Sequence, residues 1–258
     1  EFNNKDVRIT TNYDEHNLIS SLYSVVHEGG HAIYELHSPD AFENTCLAGG
    51  VSMGVHESQS RLYENILGRS RAFVSVIFPI CREIFPEQLA DVTEEEMYRA
   101  VNKCVPSLIR TEADEVTYCL HVMVRYEIEK GLFDGSIQVA DLPKVWAEKM
   151  QAYLGVSVPD DTHGVLQDSH WSGGDFGYFP SYAIGSAYGA QIAAKLSETL
   201  DLDEAIRSGR IPDITARLSD GLYRFGRLYN PAELIERFCG KPFDPSYYTA
   251  YLTKKYRG

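Results

Sequence analysis

Apolar residues recur along most of the chain at spacings of three and four, the period of an amphipathic helix, with one alternating stretch near the start. Arg8-Ile9-Thr10-Thr11-Asn12-Tyr13 alternates and is rich in β-branched residues, which predicts a short strand in a small sheet near the N-terminus. From 15 to about 36 the period becomes helical. Leu18, Leu22, Val25, Gly29, Ala32 and Leu36 are predicted to form one buried stripe, and Ser38-Pro39-Asp40 stops the helix. Further helices are predicted over 55–67, ending at Gly68, over 72–85 with a break near Pro79, over 93–104, and over 108–130, closed by Gly131. Two more span 141–154 and 180–200. Local chemistry supports several of these ends. Thr93 and Glu96 have the spacing of a capping box, and Asn230 stands as a cap before Pro231 at the first helical position. The stretch 155–180 is instead rich in Gly, Asp, Ser and aromatic residues and reads as a long irregular loop of the kind that carries function. No repeat, low-complexity run or linker interrupts the pattern, so the expectation is a mainly α protein forming a single domain over 1–258.

Composition narrows the possible functions. Lys and Arg number 24 against 37 Asp and Glu, a net charge of −13, which argues against nucleic acid as a partner. With 44% apolar and 12% aromatic residues, the chain can build a large core and is not disordered. No run approaches the roughly 18 apolar residues that cross a bilayer, and Glu1-Phe2-Asn3-Asn4-Lys5-Asp6 lacks a signal core, so no membrane role and a cytoplasmic location are expected. Cys46, Cys81, Cys104, Cys119 and Cys239 are scattered and odd in number, which suits reduced thiols better than disulfides or a thiolate metal site.

The densest chemical signal is His27-Glu28-Gly29-Gly30-His31, an HExxH pattern inside the first predicted helix. Histidines four apart rise about 6 Å along one face, so both imidazoles can reach one ion while Glu28 handles a water's proton. Two adjacent glycines weaken a helix by about 1 kcal/mol each, which makes sense where something approaches closely. A catalytic zinc takes three protein ligands, and His56-Glu57-Ser58-Gln59 on the next helix offers the third. Spacing leaves Glu57 and His56 as rivals. Donors for a tetrahedral oxyanion could come from His170, Tyr178, Tyr182 or Tyr188. Arg110 and Asp114 stand four apart on a predicted helix, either as an exposed ion pair or with Arg110 as a fork for a substrate carboxylate. Gly164 through Trp171 gathers polar groups beside a Trp within the long loop.

Taken in order, Asp6-Val7-Arg8-Ile9-Thr10, His27-Glu28-Gly29-Gly30-His31, His56-Glu57-Ser58-Gln59, Ile109-Arg110-Thr111-Glu112-Ala113-Asp114 and Gly164 to Trp171 resemble the motifs of the carboxypeptidase Taq family of zinc metallocarboxypeptidases, and the Tyr178-Phe179-Pro180-Ser181-Tyr182 run extends the likeness. The resemblance implies a helical, zincin-like fold with zinc on His27, His31 and Glu57 and with Glu28 as general base. It implies Arg110 as the site of the substrate's C-terminal carboxylate, Arg8 and Gln59 lining or supporting the site, Tyr182 contacting substrate, and His170 assisting near the reacting carbonyl. Substrates would be peptides with a free C-terminus, and the assembly a homodimer. Cobalt or manganese can also occupy such a ligand set. Members of that family are about twice as long and carry a helical N-terminal region with an HPF motif. The chain begins without Met and without that motif, so it is expected to correspond to a C-terminal catalytic portion. An endopeptidase with the same zinc site, or an idle fragment that assembles with a separate N-terminal half, are the rival expectations.

Overall fold

A computed structural model describes residues 2–257. Among them the regular structure is helical: α1 (Leu18–Leu36), α2 (Met53–Arg61), α3 (Arg71–Ile84), α4 (Glu94–Val101), α5 (Tyr118–Asp134), α6 (Leu142–Leu154), α7 (His170–Gly173), α8 (Pro180–Ser197), α9 (Leu202–Arg207), α10 (Ile211–Gly221), α11 (Pro231–Cys239) and α12 (Ser246–Arg257). The chain divides into two compact units, one of residues up to 101 and from 184 onward, the other of residues 102–183.

The predicted N-terminal sheet does not form. Among the described residues the one β feature is an isolated antiparallel bridge between Asn3 and Asp6. A strand needs a partner ladder, and none is offered to residues 8–13. The segment before them is held by side chains instead: Asn4 donates through Nδ2 to the Ser38 carbonyl at 2.8 Å and to Asp40 at 2.7 Å. Ile9 and Tyr13 are left exposed.

In the first unit, Asn17 caps α1 by accepting the Ser20 N–H, and Tyr23, Gly30 and Tyr34 supply its buried face. At about 100° per residue these positions lie about half a turn from the predicted Leu18–Leu36 stripe, of which Val25 and Leu36 are exposed. Aliphatic spacing misplaced the face because tyrosines carry the burial. The Tyr23 hydroxyl is satisfied by donating to the Gly68 carbonyl at 2.9 Å. Tyr34 packs with Val55, Leu62, Ile192, Tyr223 and Leu234 in the main core, while Tyr23 joins Val74, Phe78, Met97 and Val101 in a second cluster. α3 runs unbroken through Pro79, contrary to the predicted break. Pro79 sits on the exposed side, where water can take the helix bond that proline removes. α2 passes directly into a π-helical turn, Leu62–Leu67.

In the second unit α5 packs on α6 through Val124, Ile128, Trp146, Met150 and Leu154, and Tyr118, Val122 and Phe179 form a smaller cluster. Here the predicted 108–130 helix starts late, at Tyr118, after a turn in which Asp114 accepts the amides of Val116 and Thr117. The capping box of Thr93 and Glu96 and the Asn230 cap are formed as read. The five cysteines form no disulfide among the described residues, and burial pushes the Cys239 thiol up to about 12. No described helix is long and apolar enough to cross a membrane.

Candidate metal centre

Two helices of the first unit build the centre. α1 carries His27 and His31 one turn apart, with ring centroids 5.0 Å apart and nearly perpendicular planes. α2, started by Ser52 accepting the Val55 N–H, brings up Glu57. The helices can come this close because Gly30 has no side chain: a Cβ there would lie 2.7 Å from the Gln59 carbonyl oxygen and the Ser60 Cα. Gly185 on α8 does the same behind the ligand, since its Cβ would meet Glu57 Cβ and Cγ at 2.6 Å. Gly29 faces open space. Close packing therefore explains Gly30 alone, and nothing in the structure explains Gly29.

Glu57 Oε2 lies 3.3 Å from His31 Nε2 and 3.8 Å from His27 Nε2. Donors bound tetrahedrally at about 2.0–2.2 Å from one ion stand about 3.3–3.6 Å apart, so two imidazole nitrogens and a carboxylate oxygen at these separations fit a divalent cation of the zinc type. His27, His31 and Glu57 are also the group of metal-capable side chains found among the described residues, their donor atoms all within 4.8 Å of one another. Burial opposes ionisation of Glu57, but Arg61, His31 and His27 outweigh it and pull its carboxyl down to about 2. The other oxygen, Oε1, accepts from Arg61 Nε at 2.8 Å. Glu28 is half-buried on the ligand helix, between the two histidines in sequence.

The remaining nitrogens of both imidazoles are occupied. His27 Nδ1 meets Glu64 Oε2 at 2.9 Å, and Glu64 is held by Arg61 and Arg69. His31 Nδ1 meets His56 Nδ1 at 2.6 Å, and His56 Nε2 meets Glu35 Oε1 at 2.7 Å. Of the two rival third ligands, Glu57 faces the histidine Nε2 atoms and His56 lies behind His31. Burial would raise Glu64 and Glu35, yet both are held below the usual carboxylate range, Glu64 chiefly by His27 and Arg61 and Glu35 chiefly by His56 and the Gly50 N–H. Sequence reasoning passed over Glu35, Glu64 and Arg61. No sequence signal marks Glu64: it lies in the π-helical turn, and such turns are not visible in residue spacing.

Gln59 is fully buried, accepting from the Tyr223 hydroxyl at 2.7 Å and donating to Ser58, so it supports α2 from within the core. Arg8 is not brought to the cluster. Its exposed guanidinium forms a two-pronged pair with Asp6, both bonds at 2.7 Å. Tyr188 is packed in the core against Phe243.

The second unit gathers Arg110, His170 and Tyr182 around Asp168. Arg110 Nε and Nη2 both donate to Asp168 Oδ1, at 3.0 and 2.7 Å, and Nη1 donates to the Tyr118 hydroxyl at 2.9 Å. Arg125, fully buried and missed from sequence, donates to Asp168 Oδ2 at 2.6 Å and to Gln167. Arg110 is thus not paired with Asp114. Three of its five N–H groups are engaged, which leaves two for a ligand. His170 Nε2 meets the Tyr182 hydroxyl at 3.0 Å, and the Tyr178 ring lies 5.3 Å from the imidazole. Burial, with Arg110 next, keeps His170 below its ordinary value.

Comparison with known proteins gives the family. The family described as carboxypeptidase Taq (M32) metallopeptidase matches residues 1–256. Carboxypeptidase 1 of Bacillus subtilis is 43% identical over 255 residues, 98% of this chain and 51% of the relative. Thermostable carboxypeptidase 1 of Thermus thermophilus is 44% identical over 252 residues, 97% of this chain and 49% of that one. The crystal structure of an M32 carboxypeptidase from Deinococcus radiodurans superimposes with a TM-score of 0.95 at 47% identity, covering 98% of this chain and 52% of that chain. The Trypanosoma cruzi metallocarboxypeptidase 1 structure gives 0.95 at 41% identity, covering 99% and 54%. The chain spans about half the length of the curated relatives it matches.

Proposed function

Because this chain belongs to the carboxypeptidase Taq (M32) metallopeptidase family, we propose that it is the metal-bearing catalytic part of a zinc carboxypeptidase that releases amino acids from the free C-termini of peptides. The observation that carries the reading is the His27, His31 and Glu57 triad, whose Nε2 atoms and carboxylate oxygen converge while both Nδ1 atoms are tied elsewhere. Zinc held there supplies Lewis acidity, which acidifies water and polarises a peptide carbonyl. Glu28 takes the proton of the attacking water and returns it to the leaving amine. Glu57 is kept ionised beside Arg61, the form that can bind a cation. Gln59 supports α2 from behind.

In the second unit, the assignments follow the family likeness. Arg110 receives the substrate carboxylate through its two remaining N–H groups, and Asp168 and Tyr118 hold the guanidinium still. His170 and Tyr182 serve the reacting carbonyl and the bound peptide. Both units belong to one catalytic domain in this reading, which also carries a homodimer and a cytoplasmic setting.

The test is metal content together with release of amino acids from one peptide in free-acid and amidated forms. We expect about one zinc per chain, cleavage of the free acid only, and loss of activity in Glu28→Gln with metal retained. Absence of metal after expression in zinc-supplied medium overturns the reading, and equal cleavage of the amidated peptide overturns the role of Arg110. The half-length coverage of the relatives favours one second reading, in which zinc is held but cleavage appears only once an N-terminal portion is added.

A further inference from the structure

We propose that Glu35 is a positioning residue for the metal ligand His31 and acts through His56. The inference rests on the reading that His27, His31 and Glu57 hold the ion. The chain of contacts is short and at least partly buried: His31 Nδ1 to His56 Nδ1 at 2.6 Å, His56 Nε2 to Glu35 Oε1 at 2.7 Å, and the Gly50 N–H to the same Glu35 oxygen at 3.0 Å. The Tyr34 ring, 5.1 Å from that of His56, closes the side of the imidazole.

Proton placement follows from the ligand role. An imidazole that binds a cation through Nε2 carries its proton on Nδ1, so His31 donates and His56 Nδ1 must accept. His56 then has its own proton on Nε2, which points at Glu35. A carboxylate can only accept, and Glu35 is kept ionised by that bond and the Gly50 amide. The order Glu35, His56, His31 is therefore the single arrangement in which every close pair has one donor and one acceptor. Without an acceptor at position 35, the other His56 tautomer becomes available, and it sets two N–H groups against each other at 2.6 Å, pushing His31 out of line with Glu57. Partners behind a ligand histidine fix its tautomer and ring orientation and commonly change metal affinity about 10- to 100-fold. His27 is backed by a carboxylate directly, through Glu64. His31 is backed by one at a remove, and this gives the His of the His56-Glu57 pair a task distinct from ligation.

The experiment compares Glu35→Met with Glu35→Gln in the full 258-residue chain. Both are uncharged and close in length to Glu, but only Gln offers an acceptor. Zinc affinity is measured by chelator competition and geometry by the visible spectrum of the cobalt-loaded form. Glu35→Met is expected to bind about 10- to 100-fold more weakly with an altered cobalt spectrum, and Glu35→Gln to recover most of the loss. On the zinc-loaded, unaltered chain, nitrogen NMR is expected to find His56 protonated at Nε2 and His31 at Nδ1, a readout that does not depend on any variant folding. Unchanged affinity and spectrum in Glu35→Met, equal losses in the two variants, or a His56 proton on Nδ1 overturns the relay and leaves the metal reading standing. An unaltered chain that binds no metal overturns the metal reading and the relay with it.

Discussion

Replacing Gly30 by Ala probes the packing that sets the metal centre. The new Cβ would stand 2.7 Å from Gln59 O and Ser60 Cα and 2.9 Å from Gln59 C. Ordinary carbon contacts lie near 3.5–4.0 Å, so α2 must retreat by about 0.8 Å, and because all three atoms are backbone no side-chain rotation relieves the overlap. Overpacking of this kind costs about 1–3 kcal/mol. Helix propensity returns about 1 kcal/mol, so the net effect is a loss of up to about 2 kcal/mol. Gly29→Ala receives the same propensity gain, yet nothing lies within 4 Å of its Cβ, so it should stabilise by up to about 1 kcal/mol. Urea unfolding of the two metal-free variants therefore shifts in opposite directions. Retreat of α2 also carries Glu57 away from the histidines, so Gly30→Ala is expected to lose zinc affinity as well. Equal midpoints for the two variants, or a stabilised Gly30→Ala, refute the claim that close approach explains this glycine.

Two further tests address the second unit. Burial first, then Arg125 and Arg110, against the pull of Asp168 and Asp114, holds the His121 imidazole down at about 4, while an unfolded chain takes the proton near 6.5. A lowered value means stability is complete above 6.5 and is lost as pH falls toward 4, about 3 kcal/mol in all at about 1.4 kcal/mol per pH unit. His121→Phe should flatten the stability curve over that window and, because both ring nitrogens are buried without a partner, leave neutral stability no lower; a slope equal to that of the unaltered chain refutes it. Asp168→Asn leaves two buried guanidinium groups without their counter-charge and is expected to destabilise by about 3–5 kcal/mol, followed by fluorescence of Trp146 and Trp171; a loss under about 1 kcal/mol refutes the bridging role.

What was legible in the sequence was what depends on neighbours three or four residues apart. The HExxH face of α1, the Thr93 and Glu96 capping box and the Asn230 cap are short-range features, and each formed as read. The N-terminal sheet was illegible because alternation describes one strand and says nothing of a partner. Position 114 misled for the opposite reason. Arg110 and Asp114 satisfy an i,i+4 template, yet Asp114 accepts the Val116 and Thr117 amides in the turn before α5, and Arg110 pairs with Asp168, 58 residues away. Glu35, Glu64 and Arg125 carry no motif at all, since a buried charge differs from a surface one only in where the folded chain places it.

His56 and Glu57 show where spacing stops and geometry takes over. Consecutive residues on a helix point about 100° apart, so a sequence cannot say which of them faces a neighbouring helix. Here both do, because an imidazole has two nitrogens on different edges: Glu57 approaches His31 at Nε2, and His56 approaches it at Nδ1. The two candidates were rivals only while one contact was allowed. Once the ring's second nitrogen is counted, the pair becomes a division of labour, with Glu57 as the proposed ligand and His56 carrying a hydrogen bond back to Glu35. That division is a condition on substitutions: Glu57→Asp shortens the proposed ligand and should reduce metal affinity without changing the His56 tautomer, whereas Glu35→Met should change the His56 tautomer while all three proposed ligand residues are kept.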